Sequence, residues 1–313
     1  MLRDPVPEIH SVPLSDVNRF GHELYVVRGD LTHPEISGNK WYKLKYNLRS
    51  ARETGVRAVL SFGGAHSNHL HALAAAGREY GLDTLGVVRG DWRTTLTATL
   101  QDAVSWGMRL IPISNTDYRN RNDRAWVSGQ LSEWLCRSDV CESGFRPEEV
   151  MVIPEGGSNL EGVRGVRDWA RAIYSRFADP VTLVMPVGSG GTIAGFAAEA
   201  SPHQVMGISV VKDDSRPQYV NRLLLGVGEK QSAWEIVTGF EGKGYGKWSH
   251  DLVVRLNDVY AQTEVPLEPV YSGKAFQAMT ALAEAGRITT KQIVFVHTGG
   301  LQGGRSVPEL RWL

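Results

Sequence analysis

The sequence predicts an α/β protein of two lobes, each a parallel sheet covered by helices, with the working cleft between them. Three observations predict this class. Short apolar runs of strand length alternate with longer stretches of helical periodicity. Glycines such as Gly55, Gly81 and Gly107 stand where those helices should stop. The 313 residues also exceed the length at which one compact core is usual. The smaller lobe is placed at residues 49–150, and the larger at 1–48 together with 151–313.

The first strand is expected at residues 24–27, followed by a polar, proline-containing connection to Gly38. Apolar spacing at Trp41, Leu44 and Leu48 predicts a helix, most regular over 42–53. Residues 56–60 read as a strand running into Gly63-Gly64. The stretch 69–80, rich in Leu and Ala, predicts a helix, 84–88 a strand, 95–106 a helix and 108–113 a strand. The charged stretch 114–146 reads as a solvated loop with a helix near 125–135, and no chemistry is assigned to it. A second series opens at Met151, with a helix at 165–176, a strand at 181–187, a helix at 192–200 and strands at 205–211 and 292–297. Apolar strands alternating with helices in this way are parallel strands buried on both faces.

Basic and acidic residues number 34 each, so no general attraction to nucleic acid or an anionic membrane is expected, and any anion site must be local. No stretch is long and apolar enough to span a bilayer, and residues 1–7 lack a signal pattern, so a cytoplasmic protein is expected. Cys136 and Cys141 are too few for a disulfide framework and are expected as buried free thiols. His66, His69 and His71 lie close in sequence, but no acidic ligand completes a metal site, and none is expected.

Chemistry concentrates in four segments. In Ser37-Gly38-Asn39-Lys40-Trp41-Tyr42-Lys43 a sharp turn delivers Lys40 to a helix start, where its amine can form a Schiff base with pyridoxal phosphate. Gly188, Ser189, Gly190, Gly191 and Thr192, between a strand and a helix, offer N–H groups and hydroxyls to a phosphate monoester, although such glycines also serve tight packing. Ile193 occupies the place of the third glycine of a dinucleotide fingerprint, which argues against a nicotinamide cofactor and hydride transfer. Ser67 can face the substrate or cap the following helix, and Asn68 can donate to the oxygen on the cofactor ring. Tyr271 is either a core tyrosine or a phenol at the reaction centre. Thr298 could hydrogen-bond the pyridine nitrogen, and a neutral hydroxyl there would not hold that nitrogen protonated as a carboxylate would.

Gly38-Asn39-Lys40 with Lys43-Leu44, the Ser67-Asn68 turn, the glycine loop and Pro269-Val270-Tyr271 together resemble a known family over residues 24–300. It is the pyridoxal-phosphate family containing 1-aminocyclopropane-1-carboxylate deaminase and D-cysteine desulfhydrase. The resemblance implies the two-domain tryptophan-synthase-beta-like fold, known as fold type II, with pyridoxal 5'-phosphate held by the larger lobe. It further implies a small amino-acid substrate and a homodimer. Under it Lys40 is the Schiff-base lysine, Ser67 the hydroxyl facing the substrate, and Asn68 the partner of the ring oxygen. Gly188, Ser189, Gly190, Gly191 and Thr192 form the phosphate loop, Tyr271 is the active-site phenol, and Thr298 pairs with the pyridine nitrogen as in the desulfhydrase branch.

Three departures stand beside these matches. Ser272 occupies the place where the deaminase branch carries glutamate, and Tyr42 the place where members commonly carry arginine. The segment 258–268 reads as too short for the family's glycine-tyrosine loop and following helix, so a second active-site tyrosine is expected to be missing. The implied reaction is β-elimination from D-cysteine to pyruvate, ammonia and sulfide, with either Ser67 or the released Lys40 taking the α-proton. The alternatives are ring opening of 1-aminocyclopropane-1-carboxylate and a metabolite sensor that binds the cofactor without turnover.

Overall fold

The runs Thr182–Val187 and Ala58–Gly63 are buried at every position, which a strand needs when helices cover both of its faces. They are the middle strands of two sheets in a computed structural model that describes residues 4–92, 94–141, 144–228, 231–244 and 246–313. The chain begins with β1 (Ile9–Val12), the short helix α1 (Ser15–Asn18) and β2 (Glu23–Arg28). Then follow α2 (Asn39–Thr54), β3 (Ala58–Gly63), α3 (Asn68–Tyr80), β4 (Asp83–Arg89), α4 (Ala98–Ser105) and β5 (Arg109–Ile113). Next come α5 (Arg124–Leu135), α6 (Ser138–Cys141), β6 (Val150–Val152), α7 (Leu160–Tyr174), β7 (Thr182–Val187), α8 (Gly191–Ala198) and β8 (Gln204–Ser209). The chain closes with α9 (Arg216–Leu225), β9 (Ala233–Val237), α10 (His250–Thr263), α11 (Ser272–Glu284) and β10 (Gln292–His297).

The larger sheet has the order β1-β2-β10-β7-β8-β9 and the smaller β5-β4-β3-β6. All pairs are parallel except β1 with β2. One apolar core runs continuously beneath α2, α3, α7 and α8 and takes side chains from both sheets, among them Val59, Val88, Leu183 and Val294. A second core packs α10 and α11 on the other face of the larger sheet, and a third packs α5 on the outer face of the smaller one. Among the described residues, no helix is long and apolar enough to cross a membrane.

Several expectations need correction. Val150–Val152 does not open the second series: it pairs with β3 and forms the edge of the smaller sheet. The boundary drawn at residue 48 falls inside α2. The segment before Pro269 is not short of a helix, because α10 supplies fourteen residues of it. A glycine-tyrosine loop, Gly242-Lys243-Gly244-Tyr245-Gly246, precedes that helix in the sequence, with Tyr245 outside the described residues. Both elements begin upstream of the segment 258–268. Cys136 and Cys141 are free but exposed, because each ends a helix on the outer face.

Candidate active site

The lysine turn is shaped by what crowds it. Gly38 has φ of 61°, and a Cβ there would lie 2.0 Å from the carbonyl oxygen of Thr298, so only glycine fits. The Asn39 N–H donates to that same oxygen at 3.2 Å, which docks the start of α2 on the end of β10. The Asn39 side chain reaches two ways: Nδ2 donates to Thr192 Oγ1 at 2.8 Å, and Oδ1 accepts from Lys40 Nζ at 3.0 Å. One asparagine thus ties the lysine, the glycine loop and the β10 end together. Burial lowers the Lys40 amine to a pKa of about 8, leaving a useful neutral fraction near physiological pH.

Lys43 lies one turn further along the same face of α2 and is 1% exposed. Its Nζ donates to Gly156 O at 3.1 Å and to Ser158 Oγ and Ser189 Oγ at 3.3 Å each, all neutral oxygens. Burial above all, then the charges of Lys40 and Arg216, hold this amine well below the ordinary lysine range. The glycine loop closes over it: Gly190 is left-handed at φ 88°, and a Cβ on Gly191 would come within 2.6 Å of Ser158 Oγ and 3.1 Å of Lys43 Nζ. A buried amine, three hydroxyls and the N-terminus of α8 form a set of donors, which fits a phosphate dianion.

Ser67 and Asn68 follow the end of β3 and Thr298 the end of β10, whereas Tyr271 immediately precedes α11. Ser67 caps α3, its Oγ accepting from the Leu70 N–H at 3.2 Å, and also lines the cleft. Asn68 Oδ1 accepts from Gln302 Nε2 at 2.9 Å, so its amide is oriented from the far side of the cleft. Tyr271 is held through its backbone: buried Glu268 accepts N–H bonds from Val270, Tyr271 and Ser272 at 2.7 to 2.8 Å. The Tyr271 ring covers Gly188, where a Cβ would lie 3.3 Å away. The cleft, about 290 Å³, brings together Lys40, Ser67, Asn68, Tyr271 and Thr298 with Gly188, Ser189, Gly190 and Thr192. Gly191 is buried behind the loop and does not line it. Apart from Tyr271, these residues follow the C-terminal ends of parallel strands, where open α/β sheets place their ligands.

The family model for pyridoxal-phosphate dependent enzymes matches residues 5–299. The chain belongs to this family. It is 32% identical to a putative 1-aminocyclopropane-1-carboxylate deaminase of Thermotoga maritima, over 91% of each chain. It is 31% identical to the bifunctional D-cysteine desulfhydrase/1-aminocyclopropane-1-carboxylate deaminase of Arabidopsis thaliana, covering 90% of this chain and 73% of that one. A crystal structure of a 1-aminocyclopropane-1-carboxylate deaminase homologue superposes with a TM-score of 0.77 at 27% identity, covering 95% of this chain and 90% of that one. The protein is therefore a pyridoxal-phosphate enzyme of fold type II.

For a pyridoxal-phosphate enzyme, the donors missed by sequence reasoning are as informative as those found. Lys43 belonged to the family-like motif, but no role could be assigned to it, because neutral partners drawn from residues 156, 158 and 189 are invisible in sequence. Arg121, in the stretch expected as a solvated loop, lines the cleft with Glu155, Asp213 and Arg216. Ser272, by contrast, is fully buried and bonded to Glu268, turned away from the cleft. Tyr42 points into the core, stacked on Trp169 with ring centroids 4.7 Å apart. His69 is buried against Ser61 and His71 against Asp102. No group of three metal-ligating side chains forms among the described residues.

Proposed function

We propose that this chain catalyses β-elimination from a small amino acid, with a D-cysteine-like thiol as the leaving group and pyruvate, ammonia and sulfide as products. The observation that carries the reading is Lys40, an amine with pKa lowered to about 8 at the edge of a cradle of donors. Bound there, the cofactor supplies an electron sink for the bonds at the substrate α-carbon. Lys40 would hold the cofactor's aldehyde carbon and, as a free amine, is a base of suitable strength at neutral pH. Lys43, Ser158, Ser189, Thr192 and the α8 N-terminus would hold its phosphate. Asn68, fixed by Gln302, would donate to its ring oxygen, and Thr298 would offer its ring nitrogen a neutral hydroxyl.

Ser67 faces the substrate carboxylate or the α-proton, with its oxygen already oriented by the α3 cap. Tyr271 stands over the glycine loop, its backbone N–H one of the three that the Glu268 carboxylate accepts. Ser272 occupies the place where the deaminase branch carries glutamate, and that departure favours elimination of a good leaving group over ring opening. The test is the visible spectrum of the purified holoenzyme titrated with D- and L-amino acids, with keto acid and ammonia quantified in parallel. Keto acid from D-cysteine, lost in Lys40→Ala, is the expected result; turnover by that variant at the parental rate would reject the assignment.

A further inference from the structure

We propose that the first turn of α9 shapes the phosphate cradle: Arg216 and Tyr219 are positioning residues that hold the Ser189 and Ser158 carbonyls away from it, so that it presents donors alone to the cofactor phosphate. The inference deepens the proposed function and rests on its placing of the phosphate among Lys43, Ser158 and Ser189. Neither side chain need touch the cofactor to do this.

Arg216 opens α9 and Tyr219 follows three positions later, so the two side chains leave one face of the helix. Arg216 Nη1 donates to the Ser189 carbonyl at 3.0 Å, and the Tyr219 hydroxyl donates to the Ser158 carbonyl at 2.5 Å. The arginine is itself fixed: Nη2 donates to Asp213 Oδ2 at 2.5 Å, and Asp213 Oδ1 accepts from the Ser215 N–H at 3.0 Å and from the Ser215 hydroxyl at 2.6 Å. Its stem lies against the glycine loop, since a Cβ on Gly190 would come within 3.0 Å of Arg216 Cδ. Ser158 lies between β6 and α7 and Ser189 between β7 and α8, yet their side chains meet. Ser158 Oγ donates to Ser189 Oγ at 2.6 Å, and Lys43 Nζ donates to each at 3.3 Å. Helix α9 therefore grips the backbones of the two residues whose hydroxyls gather at Lys43.

A trans peptide carries its carbonyl and the following N–H on opposite edges, and among the described residues no peptide is cis. With the Ser189 carbonyl drawn to Arg216, the Gly190 N–H points the other way, and it makes no hydrogen bond among the described residues. Gly190 is left-handed at φ 88°, a conformation that lets successive N–H groups converge on an anion. A phosphate dianion only accepts, so a carbonyl turned inward would put a repulsion where an attraction should be. Because the Asp213 carboxylate partners the guanidinium, what Arg216 contributes is orientation more than charge.

The test compares pyridoxal phosphate with pyridoxal, which lacks the phosphate, each titrated into the cofactor-free full chain and followed by visible absorbance. The parent should half-saturate with pyridoxal phosphate at the lower concentration. In Arg216→Met that concentration should rise about tenfold, the scale of one hydrogen bond to a charged group, while the value for pyridoxal stays within about twofold. Arg216→Lys should keep part of the preference. Tyr219→Phe removes one oxygen and keeps the ring, and should shift the ratio of the two values the same way by about threefold, the scale of a neutral hydrogen bond. An equal loss for both ligands, or no loss for either, overturns the inference and leaves the cradle reading standing, because α9 would then only support the fold. If Arg216→Met does not fold, Tyr219→Phe decides by the same ratio. If the parent itself does not distinguish the two ligands, the placing of the phosphate in the cradle fails first and the inference falls with it.

Discussion

Replacing Lys40 by methionine should stabilise the cofactor-free protein near neutral pH, although it removes the proposed anchor. Burial lowers this amine from an ordinary 10.5 to about 8. At about 1.4 kcal/mol per unit, that shift corresponds to roughly 3 kcal/mol of unfavourable charge burial. Between these two values the unfolded chain holds a proton that the folded chain has released, so stability rises with pH across the window. The whole penalty acts below about pH 8 and is gone above about pH 10.5. Methionine keeps the length of the stem, so cavity and packing losses stay under about 1.5 kcal/mol. Lys43 adds in the same direction, since part of its own depression comes from the Lys40 charge. Thermal unfolding of cofactor-free parent and Lys40→Met, followed by circular dichroism from pH 7 to 10, is the assay. The variant should melt several degrees higher at pH 7, at about 2–4 °C per kcal/mol, and the gap should close as pH rises. A variant no more stable than the parent at pH 7, with a gap indifferent to pH, would refute the burial argument.

Further outcomes follow from the same geometry. Lys43→Met should weaken cofactor binding by about ten- to a hundredfold, the value of a hydrogen bond to a charged group, read by titrating pyridoxal phosphate into the cofactor-free protein. Gly38→Ala should cost more than the ~1–3 kcal/mol of left-handed strain alone, because the new Cβ meets the Thr298 carbonyl; a melting temperature within a degree of the parent would contradict this. Glu268→Ala should destabilise by at least ~3 kcal/mol, since three buried N–H groups lose their acceptor, whereas Glu268→Gln keeps one oxygen and should lose less. Urea unfolding of the two variants side by side checks the order.

The parts of the site that could be read in sequence are those where one short segment carries the whole constraint. Gly38-Asn39-Lys40 is such a segment, as is the glycine loop at 188–192, because a tight turn and a helix entrance need particular residues at adjacent positions. Helices α2 and α3 and strands β3 and β7 were legible for the same reason: burial on one or both faces imposes a local period. What escaped was set by tertiary contact. β1 and β9 are edge strands with half-exposed, mixed patterns, and β6 is only three residues long, so its sheet is fixed by pairing with β3. Arg121 reads as one more charge in a polar run until Tyr118 and Glu155 fold against it. Helix α10 begins eight residues before the segment 258–268, so only its last turns fall within that segment.

The spacing of the two lysines explains why a cradle of this kind should be poorly stable when empty. Lys40 and Lys43 lie three residues apart on one helix face, so both amines are buried together, and the charge of Lys40 adds to the cost of charging Lys43. Among the described residues neither has a carboxylate in hydrogen-bond contact; their acceptors are an amide, two hydroxyls and a carbonyl. Under the proposed function, a phosphate dianion gives Lys43 its missing counter-charge, and the bond to the aldehyde carbon removes Lys40 as a free amine. Both penalties therefore fall together on loading, beyond the mass-action stabilisation that any ligand of the folded state confers. The pH–stability curve of the holoenzyme should then differ in shape from that of the cofactor-free protein, and on loading near neutral pH the proton Lys43 takes up should offset the one Lys40 gives up. Parallel pH–stability curves for the two forms would mean that the amines do not meet the cofactor as the cradle implies.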